Sequence, residues 1–554
     1  MSSIIGLRSV GSLLNVVVPL SLTSALGSYV VTNVVPGFWP VQSLIASFVW
    51  LYSVQFTLVF IYGVLIYPHL VSPLRHLPEP KDNAFLMGQF WNLLRKPDTE
   101  LTSKWVNEIP NEGLVRFRMS FNSETVLVTN PAALKEVLVT KNYDWEKPGI
   151  ARAILSVLLG NGILIAEGDE HKRQRKLLSP AFSFRHVKDL YPTFWGKAKQ
   201  CTEAITTAIN ASQLPGKDSP QFQMINEWAS LCTLDIIGIA GMGHDFNAIL
   251  DPENELSRTY SAVFSQSGKT KVIVAILNRI KRTPLRYIIP TENVVSRAAK
   301  VVRRISQQLI EEKKVNIAKG GPTDLDILSI AMESGGFSDD NLADQLMTFL
   351  AAGHETTANA LTLAVYSLCK KPELQSRLRD EIRSQLPPLS EDVGITSTQI
   401  DHLPYLNAIC NETLRLLSPV PATGRISVRD TTILGTFIPK GTQIVIPSAA
   451  INQSKHLWGD DAAEFNPDRW MGPGRANTGG AESNYAFMSF IHGPRSCIGK
   501  DFSRAEFACV MAAWFGRFEM RFKDPAYKLI PASGSVVLRP RGGLGVKITQ
   551  IDGW

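Results

Sequence analysis

Between Arg8 and Arg75 the chain has no lysine, arginine, aspartate or glutamate, a stretch of 66 residues without formal charge. A solvated domain of that length would carry about one charged residue in four, so this segment is not one. Cysteine is also sparse. The six residues Cys201, Cys232, Cys369, Cys410, Cys497 and Cys509 are widely spaced and contain no Cys-x-x-Cys pair, which excludes the disulfide framework of small secreted proteins and reads as reduced thiols. No run of Lys and Arg interleaves with aromatics, and a net charge of +7 is modest for 554 residues, so nucleic acid is not an expected partner. There is no internal repeat. The one low-complexity piece, MGPGRANTGGAES at 471–483, reads as a surface loop.

What fills the uncharged stretch is apolar. Leu13 to Val35 and Phe38 to Tyr67 are each long enough to cross a hydrocarbon core, which takes about 20 residues of helix, and Pro36-Gly37 separates them. A cleaved signal peptide is the competing reading of the first segment, but its apolar part exceeds the usual length and no small-residue cleavage site ends it. Pro19, Ser21, Thr23 and Ser24 weaken it as a span, so one or two transmembrane helices both stay open. Trp39, Trp50, Tyr52, Tyr62 and Tyr67 suit interfacial positions, and Arg75, His76 and Lys81 follow on the side that positive residues mark as cytosolic. Residues 1–70 therefore read as a hydrophobic membrane anchor and 71–554 as the body of the protein, facing the cytosol.

The body opens with the proline-containing hinge LRHLPEPKDNAFLMGQF, which cannot be regular helix. Val115 to Thr129 reads as a hairpin around Phe121-Asn122-Ser123-Glu124. From Asp169 to Lys314, and from Ser338 to Leu386, apolar residues recur at helical spacing. Further β-like runs come late, at 432–450 and 528–548, with Gly and Pro at turn positions. The fold class is mainly α with small β-sheets, and the 45% apolar content is enough for a large core.

One cysteine is framed more tightly than the rest. FIHGPRSCIG, Phe490 to Gly499, sets Cys497 between two glycines and beside Arg495, just before the run KDFSRAEFACVMAAWF, which reads as amphipathic helix. The glycines permit tight turns, the arginine supplies charge, and the helix start offers free N–H groups to a thiolate. A lone cysteine on a turn is more often structural. The whole string, F-x-x-G-x-R-x-C-x-G, resembles the haem-binding signature of the cytochrome P450 family. By that resemblance Cys497 is the thiolate ligand of the iron of haem b, Phe490, Gly493 and Gly499 shape its seat, and Arg495 pairs with a propionate.

Other elements of the family follow in order. LADQLMTFLAAGHETTANALTLAVYSLCKKP carries Ala352-Gly353-His354-Glu355-Thr356-Thr357, similar to the family's oxygen-activating segment. Gly353 would let the backbone approach the iron, and Glu355 with Thr356 would relay protons. A solvated helix face is the alternative, and the apolar run Leu346 to Ala352 argues against it. Glu412-Thr413-Leu414-Arg415 matches E-x-x-R, and Phe465-Asn466-Pro467-Asp468-Arg469-Trp470 resembles the segment whose arginine completes a Glu-Arg-Arg cluster, with Asp468 where Glu is frequent. Glu412, Arg415 and Arg469 are expected to serve fold and haem incorporation. GDEHKRQRKLLSPAFS resembles the family helix whose arginine, here Arg175, meets a propionate. His171 stands at the usual tryptophan, on the same helix face. Arg425 occupies a further propionate position, with a plain surface arginine as its alternative.

The resemblance implies a large helical domain with a smaller β-rich one. It further implies a haem-thiolate monooxygenase of the endoplasmic reticulum membrane, resembling fungal enzymes that decorate terpenoids, polyketides or alkaloids. Such an enzyme hydroxylates or epoxidises a lipophilic molecule with O2. Only 57 residues follow Cys497, so electrons are expected from a separate NADPH-cytochrome P450 reductase, docking on the basic residues Lys172, Arg173, Lys176 and Lys500. Two alternatives are a reductase-independent haem isomerase or dehydratase, whose relatives tend to lose the acid-alcohol pair kept here, and a non-enzymatic haem sensor, which would have no use for it. Substrate contacts are expected from the loop 144–167, the region 250–300, Phe349 and Ala352, 419–423, and the turn 532–537.

Overall fold

The computed structural model describes residues 10–35, 43–95, 98–212, 222–264, 294–319, 326–532 and 537–554. The Pro36-Gly37 break, Trp39, residues 265–293 of the expected substrate region and residues 533–536 of the C-terminal turn lie outside the described residues. Two compact units make up the chain: Met1–Gly149 with Gly424–Pro447, and Ile150–Thr423 with Ser448–Trp554.

The first unit begins with two apolar helices, α1 (Val10–Tyr29) and α2 (Leu44–Ile61), the second continuing as helix to Val71. Val16–Val34 and Leu44–Val71 are each long and apolar enough to cross a membrane. The helices pack on small residues: Ser24, Ser28 and Ser47 are buried, and a Cβ on Gly27 would come 3.1 Å from Leu51. Small side chains of this kind let helix backbones approach where no water drives association. Thr23 and Gln55 meet across the pair at 2.7 Å.

The expected hairpin forms as β1 (Leu114–Arg118) and β2 (Glu124–Val128), with Leu114 opposite Val128. Phe121 and Asn122 turn the chain at φ of 56° and 53°, a region that asparagine tolerates better than most residues. The Asn122 side chain donates to the Val64 carbonyl at 3.0 Å, and the buried pair Arg116–Glu124 at 3.1 Å also holds Pro68 and Ser72, so the end of the apolar helix is fastened to the hairpin. With β3 (Trp145–Glu146), β5 (Thr423–Ser427) and β8 (Gln443–Ile446), the hairpin completes a sheet in the order β1-β2-β8-β5-β3.

The second unit is helical. Its helices for the site are α3 (Gly168–Leu178), α4 (Ile225–Met242), α5 (Asp339–Lys370), α6 (Pro404–Leu416) and α7 (Lys500–Arg517). Ser338 caps α5 by accepting from the Asn341 N–H at 3.3 Å, and Asp339 and Asp340 sit in its first turn, where the helix dipole favours negative charge. The sequence suggested that α7 is amphipathic, yet every residue from Ala505 to Gly516 is buried, because neighbouring helices cover it on all sides. The late β-run is shorter than expected: within 528–548 the strand is β10 (Gly545–Gln550), paired with β9 (Phe518–Phe522) and β4 (Gln223–Met224). Ahead of it in that run, among the described residues, stands only a Pro531–Pro540 bridge, since prolines cannot donate to a ladder. The expected loop at 144–167 is largely the helix Gly149–Leu159.

Candidate haem-thiolate site

The cysteine loop is built by its own backbone. The Cys497 N–H donates to the Phe490 carbonyl and the Ser496 N–H to the Gly493 carbonyl, both at 3.0 Å. Gly493 turns the chain at φ of 80°, which a side chain would resist. Gly499 was expected to serve the same end and does not: its φ is −87°, and a Cβ there would meet nothing closer than the Phe182 ring at 3.7 Å. Five cysteines are buried, and Cys497 is the exposed one. The protein is nonetheless dense around it. Burial pushes its thiol up, while the Gly499 N–H and the charges of Arg175 and Lys500 pull the other way. Cys497 is thus an accessible residue whose thiol lies among protein atoms and positive charge.

Helix α3 borders the cysteine loop. Arg175 donates to the Ser496 carbonyl at 2.6 Å, and His171 is buried one turn earlier. Arg495 is buried and pairs with Glu167 at 2.5 Å, a residue that the sequence reading passed over. The available signal was its place just before α3, four residues ahead of His171. A soft sulfur donor flanked by arginines suits a metal porphyrin, with the thiolate for the iron and the cations for its carboxylates.

Helix α5 is tied to α3 by a hydrogen bond between Gln345 and Gln174 at 3.0 Å, and Phe349 packs on Phe182 at 5.5 Å between ring centres. Its Ala-Gly-His-Glu-Thr-Thr motif has a further feature. Four consecutive carbonyls each accept a side-chain donor: Ala352 from Thr356 at 2.8 Å, Gly353 from Thr357 at 3.3 Å, His354 from Thr233 at 3.1 Å and Glu355 from Asn359 at 2.7 Å. Such bonds compete with the helix's own ladder and loosen it locally. Gly353 answers first to packing, because a Cβ would lie 2.9 Å from Ile237 of α4, rather than to the approach of the backbone to an iron. Burial holds His354 down at about 4, so its ring is neutral. Glu355 and Thr356 are half-buried, and the guanidinium of Arg539 feels the charge of Glu355.

The Glu-Arg-Arg cluster forms as the sequence suggested. Arg415 donates to both oxygens of Glu412 at 2.8 Å, Arg469 adds a bond at 3.2 Å, and the Trp470 indole another at 2.9 Å. Arg425 is not a surface residue. It is buried on β5 of the first unit and donates to the Gly424 carbonyl at 2.8 Å.

A family model for cytochrome P450 matches residues 78–547. The chain belongs to the cytochrome P450 family. It is 47% identical over 500 residues to cytochrome P450 monooxygenase sphH of Aspergillus fumigatus, with 89% of this chain and 91% of that relative covered. It is 39% identical over 542 residues to cytochrome P450 monooxygenase FUM15 of Gibberella moniliformis, covering 89% and 91%. Cytochrome P450 monooxygenase ALT8 of Alternaria alternata is 37% identical over 558 residues, covering 89% and 93%. This cytochrome P450 is thus a haem-thiolate monooxygenase, an oxidoreductase that works with a redox-partner reductase on a lipophilic substrate. Its expected basic patch is partly answered within the protein: Lys172 pairs with Asp169 at 2.8 Å, Arg173 with Glu170 at 2.6 Å and Lys500 with Asp501 at 3.6 Å.

Proposed function

We propose that this cytochrome P450 holds haem b on Cys497 and inserts one oxygen atom from O2 into a fungal secondary metabolite, by hydroxylation or epoxidation. The observation that carries this is the Cys497 loop itself: an exposed cysteine whose neighbour Ser496 is held by Arg175 and which stands two residues after the buried Arg495. Bound there, haem supplies the iron that activates dioxygen. The residues around it do the rest. Cys497 is the sulfur ligand, Phe490, Gly493 and Gly499 form its seat, and Arg175, His171, Arg495 and Arg425 answer the two propionates. Glu355 and Thr356 would move protons: the Thr356 hydroxyl, which donates to the Ala352 carbonyl at 2.8 Å, would give up its proton and recover one from Glu355. Phe349 and Ala352 present apolar surface to the substrate.

Residues 1–70 anchor the protein in the endoplasmic reticulum membrane, and residues 71–554 form the catalytic domain on the cytosolic face, where NADPH-cytochrome P450 reductase delivers electrons. The two apolar helices support the anchor, and the fungal relatives support the metabolite class. The intact acid-alcohol pair favours oxygenation over a reductase-independent isomerisation.

Membranes carrying the protein, a reductase and NADPH, incubated with candidate metabolites, are expected to yield products heavier by one oxygen from labelled O2. Thr356→Ala is expected to keep consuming NADPH while the product formed per NADPH falls about tenfold; an unchanged ratio would remove the proton-relay role. Cys497→His is expected to abolish the red-shifted band of the reduced, carbon monoxide-bound protein.

A further inference from the structure

We infer that Glu167 is a positioning residue that aims the guanidinium of Arg495 at the cofactor's carboxylate edge and offsets its charge beside the thiolate. This rests on the reading above that Arg495 meets a propionate. The Glu167 and Arg495 side chains are 5% and 2% exposed and lie 2.5 Å apart. Burying two charges costs more than their attraction returns unless both have further work to do, so a plain brace between helix and loop is a poor use of such a pair.

The placement of Glu167 gives it that work. It precedes α3, and its carbonyl accepts from the His171 N–H at 3.3 Å, so its backbone is fixed by the helix start. The same helix holds the cysteine loop through Arg175 and the Ser496 carbonyl at 2.6 Å. Two consecutive loop residues are therefore gripped from one helix, Ser496 by its main chain and Arg495 by its side chain. A guanidinium is a flat fork with five donors. A carboxylate 2.5 Å from one terminal nitrogen of that fork restricts where the rest of it can point. Arg495 is also two residues from Cys497, and an unbalanced positive charge at that distance favours the more electron-rich state of a bound metal. Glu167 brings the local sum back toward zero. Outer groups that orient and balance the first contacts of a metal site act in this way.

The test uses the full-length haem protein in nanodiscs, with haem transfer to apomyoglobin, reduction potential and melting temperature measured for Glu167→Gln, Glu167→Ala, Arg495→Ala and the double variant Glu167→Ala/Arg495→Ala. Glu167→Ala is expected to lose haem about tenfold faster. Glu167→Gln keeps the shape and removes the charge, so the reduction potential is expected to rise while haem loss changes about two- to threefold. In the Arg495→Ala background the Glu167 substitution is expected to add nothing, since the two act as one unit. A fall in melting temperature with haem loss and potential unchanged would reduce Glu167 to a brace and overturn the proposal. So would a Glu167 effect that persists without Arg495. If Arg495→Ala retains haem as tightly as the unaltered protein, the propionate reading itself fails and the proposal falls with it. If Arg495→Ala sheds haem and neither Glu167 variant changes haem loss or potential, the proposal alone fails. Should Glu167→Ala not accumulate, the potential of Glu167→Gln decides, an unchanged value overturning the proposal.

Discussion

Two glutamates of the helical unit are wholly buried, Glu412 on α6 and Glu506 on α7, and the protein treats them in opposite ways. Glu412 is saturated: Arg415 binds both its oxygens, and Arg469, the Trp470 indole and the Asn466 N–H complete its set. Arg415 in turn donates to the carbonyls of Asn452, Ala462 and Glu464, so one side chain ties α6 to two stretches of the following 50 or so residues. Neither oxygen of Glu506 accepts a hydrogen bond of good geometry among the described residues. Burial drives its acidity far down, its pKa well above the usual carboxylate range, and only the Thr357 hydroxyl works the other way. The first glutamate is surrounded by donors. The second is held as a neutral acid by their absence.

Breaking the saturated site gives the largest expected effect. Glu412→Ala leaves two buried guanidiniums facing each other, and removing one member of a buried pair costs about 3–5 kcal/mol; the variant is expected to accumulate with little or no haem, read as lost absorbance of the carbon monoxide complex per unit of protein. Arg415→Lys keeps the charge but cannot reproduce a fork that binds both carboxylate oxygens and three carbonyls. It is expected to fall short of Glu412→Ala in severity yet still lower haem content markedly. Next comes Trp470→Phe, which removes one hydrogen bond to a charged group, worth about 1.5–3 kcal/mol, and keeps the ring packing on Trp458 and Phe487. A lower melting temperature with full haem loading is the expected result.

The same contrast explains how much could be read from sequence. Glu412, Arg415 and Arg469 were legible because they sit in motifs with fixed spacing, and so were Cys497 and the apolar spans, whose signals are local. Glu506 was not, because an acid three residues after Ser503 in KDFSRAEF looks like the polar side of an amphipathic helix until neighbours cover every side of α7. Glu167 escaped for a related reason. Its partner Arg495 lies more than 300 residues away, and ion pairs between distant segments leave no spacing to find. The donors on the α5 carbonyls divide along the same line: Thr356, Thr357 and Asn359 are four residues from their acceptors and could have been noticed, whereas Thr233 reaches His354 from another helix. Gly353 was seen but assigned by family resemblance to a bound group, when the nearest demand on it comes from Ile237.

The neutral acid supplies the smallest effect, and it carries the opposite sign. Because the folded-state pKa of Glu506 is raised, the folded protein keeps a proton that the unfolded chain releases above its ordinary value near 4.3. The contribution of Glu506 to stability is thus fully present below that value and is lost as pH rises toward the folded-state pKa, by about 1.4 kcal/mol for each pH unit. Glu506→Gln presents the shape of the neutral acid and cannot ionise, so it is expected to tie with the unaltered protein near pH 4 and to gain on it at pH 5 and again at pH 6. Over a body of this size each step corresponds to about 1–2 °C in melting temperature. Differential scanning calorimetry of the haem-loaded proteins at the three pH values reads the difference. An advantage that shrinks with rising pH would mean that Glu506 is ionised and partnered in the folded protein, and the contrast with Glu412 would dissolve.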